Sequence, residues 1–145
     1  MKSYNLILQE KEGYCLCSTL QAIFGRYGIN ISQKQIADNL TPSEKGFLAH
    51  DDKIKDLLKL KRFEYWFYWH NETPFNEPDS LLLEMHDNNG IIGINSHIYL
   101  LRYFKDPLLE MIDPADNKHI KKSIYDILKE MQKSVGFFGL IKRLE

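Results

Sequence analysis

Gln9-Glu10-Lys11-Glu12-Gly13-Tyr14-Cys15-Leu16-Cys17-Ser18-Thr19-Leu20 is the stretch on which the reading of this chain turns. A polar run ends at Gly13, and beyond it apolar residues recur at three- and four-residue spacing: Leu16, Leu20, Ile23, Phe24 and Tyr27. Gly28 stands where a glycine commonly ends a helix, so Cys15 opens that helix. Free N–H groups and the macrodipole at a helix N-terminus favour a thiolate over a thiol. Gln9 lies six residues upstream. Its side-chain amide, with the Cys15 backbone N–H, can donate to an oxygen that gains negative charge when a thiolate attacks a carbonyl. A nucleophilic thiol also needs a base and a group that orients the base.

The same kind of reading places the surrounding elements. Ser32, with Gln35 three residues later, opens a second helix through a capping box. That helix carries Ile36 and Leu40 and stops at Thr41-Pro42, and residues 43–50 form a loop. A third helix runs from Asp52 to Leu60, with Ile54, Leu57, Leu58 and Leu60 as its apolar positions. From Arg62 to His70 the chain is strand-like and aromatic. Phe63, Tyr65, Phe67 and Trp69 alternate there with Glu64, Trp66 and Tyr68, so half of the stripe belongs to the core and the rest is free to line a cleft.

The loop Thr73-Pro74-Phe75-Asn76-Glu77-Pro78 leads into a helix from Asp79 to Asp87, and Asn89-Gly90 marks a turn. Strands are expected at Ile91–Ile94, His97–Phe104 and Leu109–Ile112, the last two joined by a hairpin turn at Lys105-Asp106-Pro107. Ile120 to Met131 reads as an amphipathic helix and Val135 to Ile141 as a closing strand. The expected fold is α+β, N-terminal helices packed on a mostly antiparallel C-terminal sheet, in one domain over residues 1–145.

His97 opens an apolar strand and Asp113, sixteen residues later, ends the next one. Antiparallel neighbours bring such ends together, so His97 can serve as base and Asp113 as its orienting acid, with Asp116 and Asn117 nearby as substitutes. His50, His70, His86 and His119 sit in loops or at element ends and read as solvated surface. Cys17 faces away from Cys15 and reads as a packing residue. A zinc site is disfavoured, because structural zinc needs four ligands and no second cysteine pair exists. No metal or organic cofactor is implied.

The run Leu8-Gln9, Gly13-Tyr14-Cys15-Leu16-Cys17-Ser18-Thr19-Leu20, Arg26-Tyr27-Gly28-Ile29, Ser32-Gln33 and Ile36-Ala37 resembles the N-terminal half of the bacteriocin-processing (double-glycine) peptidases and their stand-alone papain-like relatives. In that family a glutamine precedes the cysteine by six residues, the following helix ends in tyrosine-glycine, and a serine opens the next helix. Its histidine begins a strand and its aspartate ends the next, usually as aspartate-proline. Here the matching runs are His97-Ile98-Tyr99-Leu100-Leu101 and Met111-Ile112-Asp113-Pro114-Ala115. The resemblance covers residue 7 to about residue 130. It implies a papain-like fold, a Cys15, His97 and Asp113 triad with Gln9 as oxyanion donor, and cleavage of a peptide or amide bond through an acyl-enzyme. Two positions depart from the family, which has an acidic residue before the cysteine and a glycine after it. Tyr14 and Leu16 stand there, and a side chain at 16 is expected to bear on the width of the cleft. The alternatives are a thiol acyltransferase and a binding or adaptor domain without turnover.

Composition limits the partners. The chain is 43% hydrophobic and 27% charged, and 19 Lys and Arg balance 20 Asp and Glu to a net charge of −1. No overall charge draws it to nucleic acid or an anionic membrane, so the expected partner is a peptide or protein substrate. Only three consecutive apolar residues occur near the N-terminus, and no run approaches the roughly 20 that span a bilayer. The expectation is a cytoplasmic protein with reduced cysteines, with export by a dedicated secretion system as the alternative.

Overall fold

The computed structural model describes residues 3–72 and 78–144, so the loop expected at residues 73–77 lies outside the described residues. The first helix, α1 (Cys15–Arg26), forms where the apolar spacing requires it. Leu16, Leu20, Ile23 and Phe24 are wholly buried along it, and Gly28 beyond its end takes a positive φ of 78°. In α2 (Gln33–Ala37), Ser32 Oγ accepts from the Gln35 N–H at 3.0 Å while Gln35 Oε1 accepts from the Ser32 N–H at 2.9 Å. These reciprocal bonds are the capping box read from the sequence. α3 (Asp52–Leu60) buries Ile54, Leu57 and Leu58 and leaves Leu60 exposed.

β1 (Phe63–Trp69) and α4 (Pro78–Asp87) follow, then β2 (Asn89–Ile94), β3 (His97–Lys105), β4 (Leu108–Ile112), β5 (His119–Ser123), α5 (Ile124–Ser134) and β6 (Phe137–Arg143). The six strands form one sheet in the order β1-β6-β2-β3-β4-β5, and every pairing is antiparallel. Period-2 alternation gives the sheet two apolar faces. Ile91, Leu100, Ile112 and Ile141 belong to the core shared with α1, α2 and α3. Ile92, Leu101, Met111 and Leu140 belong to a second core beneath α4 and α5. The fold is thus α+β with the N-terminal helices on the sheet, as expected. The second helical layer on the opposite face is an addition to that expectation. No helix among the described residues is long and apolar enough to cross a membrane.

Three local expectations are corrected. Asn89-Gly90 is not a turn but the start of β2. The buried Asn89 side chain accepts from Tyr4 Oη and Arg26 Nη1, each at 2.8 Å, and donates to Tyr27 Oη at 2.8 Å and the Ile141 carbonyl at 3.1 Å. Those tertiary bonds outweigh the turn preference of Asn-Gly. Gly90 has a separate reason, since a Cβ there would meet the Met85 side chain at 2.6 Å. Residues 119–123 form β5, paired with β4, and the helix begins only at Ile124. Its true start signal is Ser123, whose Oγ accepts from the Asp126 N–H at 3.2 Å. Val135, read as strand, takes the left-handed conformation that ends α5.

Candidate active site

Cys15 is the first residue of α1 and is 8% exposed. Tyr14 caps the helix without a side-chain hydrogen bond, and the first bond of the helical ladder is Ser18 N–H to the Tyr14 carbonyl at 2.9 Å. The N–H groups of Cys15, Leu16 and Cys17 precede that ladder and find no partner within the helix. His97 stands across from them at the start of β3. The turn before it, Asn95 and Ser96, runs through the left-handed region with φ of 53° and 61°. This tight turn closes the β2–β3 hairpin and sets His97 at the rim of the cleft.

The hairpin of β3 and β4 returns Asp113 to the same end of the sheet, where His97 Nε2 lies 2.6 Å from Asp113 Oδ1. Asp113 is itself held by a turn. Its Oδ1 accepts the Ala115 N–H at 2.9 Å, and its backbone exchanges bonds with Lys118 and Asn117. With Nε2 taken, Nδ1 is the ring nitrogen left for the Cys15 thiol. Hydrogen bonding to Cys15 is the largest cause raising the His97 pKa to about 9; burial opposes it and the Asp113 carboxylate adds to it. Asp116, the substitute acid, turns instead to Lys118, accepting its N–H at 3.0 Å. Asp113 is therefore the carboxylate that meets His97.

Gln9 lies half-buried in the segment before α1, and its N–H donates to the Pro114 carbonyl at 2.9 Å. That bond ties the Gln9 segment to the loop carrying Asp113. The side-chain Nε2 donates to the Lys11 carbonyl at 3.3 Å, a long contact that uses one of its two hydrogens. Its Oε1 is buried without a partner among the described residues.

Cys15 and His97 sit where two pockets meet. One, of about 430 Å³, is walled by Phe47, Phe67, Trp69, Ile94 and Phe137. The other, of about 770 Å³, is lined by Gln9, Glu12, Tyr14, Glu44 and Lys45. The groove is thus apolar on one side of the thiol and polar on the other. The aromatic stripe divides along its length: Phe63 and Tyr65 run into the core, and Phe67 and Trp69 reach the groove. Leu16, expected to bear on the width of the cleft, is wholly buried and borders the apolar pocket from beneath. Cys17 is buried in the core, where desolvation pushes its thiol up to about 12.

The other histidines are corrected in part. His119 is exposed and pairs with Glu110 at 3.2 Å. His50 is exposed but lies on the groove wall, with its ring 5.6 Å from Phe67 and 5.4 Å from Trp69. His86 is half-buried and accepts the Phe104 N–H at 3.1 Å, and His70 is half-buried. Two buried residues went unread. Ser18 Oγ donates to the Ile7 carbonyl at 2.5 Å, and Gln33 bonds to the segment bearing Gln9. Both stand in the runs that carry the family resemblance, but as ordinary helix positions neither is marked there for these bonds. No group of three or more His, Cys, Asp or Glu among the described residues is placed to hold a metal ion.

This architecture is the papain-like cysteine peptidase fold. A double glycine motif protease from an AMS/PCAT transporter, solved in complex with the leader peptide, is similar at TM-score 0.69 and 19% identity, over 97% of this chain and 92% of that one. The peptidase domain of Streptococcus ComA, a bi-functional ABC transporter involved in a quorum-sensing pathway, is similar at TM-score 0.71 and 19% identity, over 97% and 99% of the two chains. The likeness is one of fold, and it is the one the sequence resemblance implied. No protein-family model matches the chain, and no curated protein matches it.

Proposed function

We propose that this protein is a cysteine hydrolase that cleaves peptide or amide bonds through an acyl-enzyme. The observation that carries the reading is His97, bonded to Asp113 through Nε2 and lining the same groove as Cys15, which raises its pKa. His97 takes the Cys15 proton, and the sulfur attacks the substrate carbonyl carbon. The oxygen gains negative charge and is stabilised by the Cys15 N–H and the free hydrogen of Gln9 Nε2. The imidazolium then gives its proton to the leaving amine as the C–N bond breaks, leaving a thioester on Cys15. Water, deprotonated by His97, attacks the thioester and releases the carboxylic acid and the thiol. Asp113 holds the ring throughout and stabilises its charged form.

A peptide substrate is supported by the groove, which runs past Cys15 on both sides, and by the leader peptide bound to one structural neighbour. The test is a digest of a mixed peptide library with new termini mapped by mass spectrometry. The wild type should generate new termini that Cys15→Ala and His97→Ala both fail to produce. Equal numbers from all three proteins would overturn the reading.

A further inference from the structure

We infer that Gln33 is a positioning residue of the oxyanion site, clamping residues 7–10 so that the Gln9 amide faces the groove. The inference rests on the catalytic reading above. Gln33 is wholly buried at the first position of α2. Its Nε2 donates to the Leu8 carbonyl at 2.9 Å and the Ile7 carbonyl at 3.3 Å, and its Oε1 accepts the Glu10 N–H at 2.9 Å. One side-chain amide therefore grips the backbone immediately before and immediately after Gln9, as a neighbouring strand would. Gln21 Oε1 accepts a further bond from Gln33 Nε2 at 3.0 Å and fixes the orientation of the clamp.

Among the described residues, little else holds this segment. It belongs to no helix or strand, and Ile7 and Leu8 are 49% and 47% exposed. Apolar burial thus contributes little, and the ties are the Gln33 bonds, Ser18 to Ile7 and Gln9 N–H to Pro114. Among the described residues the Gln9 side chain is not fixed by its own contacts, since Nε2 makes one long bond and Oε1 makes none. Its place in the groove is inherited from the backbone that Gln33 sets. A buried glutamine that spends a donor and its acceptor on the backbone either side of one cleft residue, and its other donor on holding itself in place, acts on the precision of that residue.

Two reactions of the same sulfur separate positioning from folding. Acylation by p-nitrophenyl acetate passes through a tetrahedral oxyanion: the sulfur bonds to the acyl carbon and p-nitrophenolate leaves. Alkylation by iodoacetamide displaces iodide at a saturated carbon and forms no oxyanion. Gln9→Ala should slow acylation by roughly 10²–10³, the loss typical of one oxyanion donor. Gln33→Met should slow acylation at least tenfold and leave alkylation within about threefold. In the Gln9→Ala background, Gln33→Met should add almost nothing, because it acts through Gln9. Gln33→Glu, which keeps the acceptor for the Glu10 N–H but loses the donors, should fall between. Should Gln33→Met fail to fold, Gln33→Asn, whose amide is one methylene short, carries the same test.

Unchanged acylation in a folded Gln33 variant would overturn the inference, and so would a full multiplicative loss in the double variant. If wild-type acylation is no faster than that of Cys15→Ala, the catalytic reading fails and this inference falls with it. If the wild type acylates on Cys15 and only the Gln33 variants fail to respond, the positioning role alone is refuted.

Discussion

The His97 ring and the Asp113 carboxylate are 2.6 Å apart, and the carboxylate oxygen that meets Nε2 also accepts the Ala115 N–H. Asp113 is thus fixed by its own turn before it fixes the histidine. A charge-assisted bond of this length constrains the ring plane, which keeps Nδ1 available to Cys15. Strand ends separated by sixteen residues are carried to one point by the β3–β4 hairpin.

Removing that carboxylate should uncouple the ring while leaving the fold in place. Asp113→Ala is expected to lower peptide turnover by roughly 10²–10⁴, the span that a positioned proton carrier contributes. Ala115 is exposed, so its freed N–H turns to water, and the Tm loss should be confined to the pH range in which His97 is protonated, since the carboxylate helps to raise its pKa. Turnover within a factor of two of wild type would show that His97 needs no orienting acid.

The raised His97 pKa gives two pH predictions. In the unfolded chain the ring titrates near 6.5, and in the fold its value is about 9. Folding therefore favours the protonated ring, and the stability it contributes is fully present below about 6.5 and lost as pH rises through 9. The Tm difference between wild type and His97→Gln should be largest near pH 6 and shrink by pH 9.5. Turnover should fall above about pH 9, where the proton for the leaving group is lost. A Tm difference that grows with pH contradicts the assigned direction.

Gln9→Ala should depress kcat on a peptide substrate by roughly 10²–10³ with little change in KM, because an oxyanion donor acts only in the transition state. Steady-state kinetics on the two proteins decides this. A raised KM with unchanged kcat would make Gln9 a binding residue.

Leu16→Ala should act chiefly on stability, with any change to the groove confined to the apolar pocket that it borders. The side chain is wholly buried, so truncation is expected to cost about 2–5 kcal/mol in a denaturant titration. Unchanged stability with a broadened range of cleaved peptides would return Leu16 to the role of a cleft residue.

The helix starting at Cys15, the capping box at Ser32 and the bounds of α3 were legible because each is written in a few adjacent residues. Cys15, His97, Asp113 and Gln9 are the candidates that spacing and resemblance single out, and the fold gathers them about one groove. The aromatic strand was legible as a strand, yet only the packed sheet shows that Phe67 and Trp69 reach the groove. What stayed hidden depends on distant partners. Asn89 reads as a turn former until Tyr4, Arg26 and Tyr27 surround it. β5 reads as helix because Ile120 extends the helical spacing of α5, whereas pairing with β4 decides its conformation. Gln33 looks like any polar residue in a first helical turn, and its role appears only once residues 7–10 are seen to depend on it.

Activation of the Cys15 thiol by His97 can be read from a timed iodoacetamide pulse at pH 6 with labelled peptides resolved by mass spectrometry. Cys15 should label rapidly and the buried Cys17 almost not at all, and the Cys15 rate should drop at least tenfold in folded His97→Ala, where no imidazole takes the thiol proton. Labelling of Cys15 at the same rate in wild type and His97→Ala would contradict this activation.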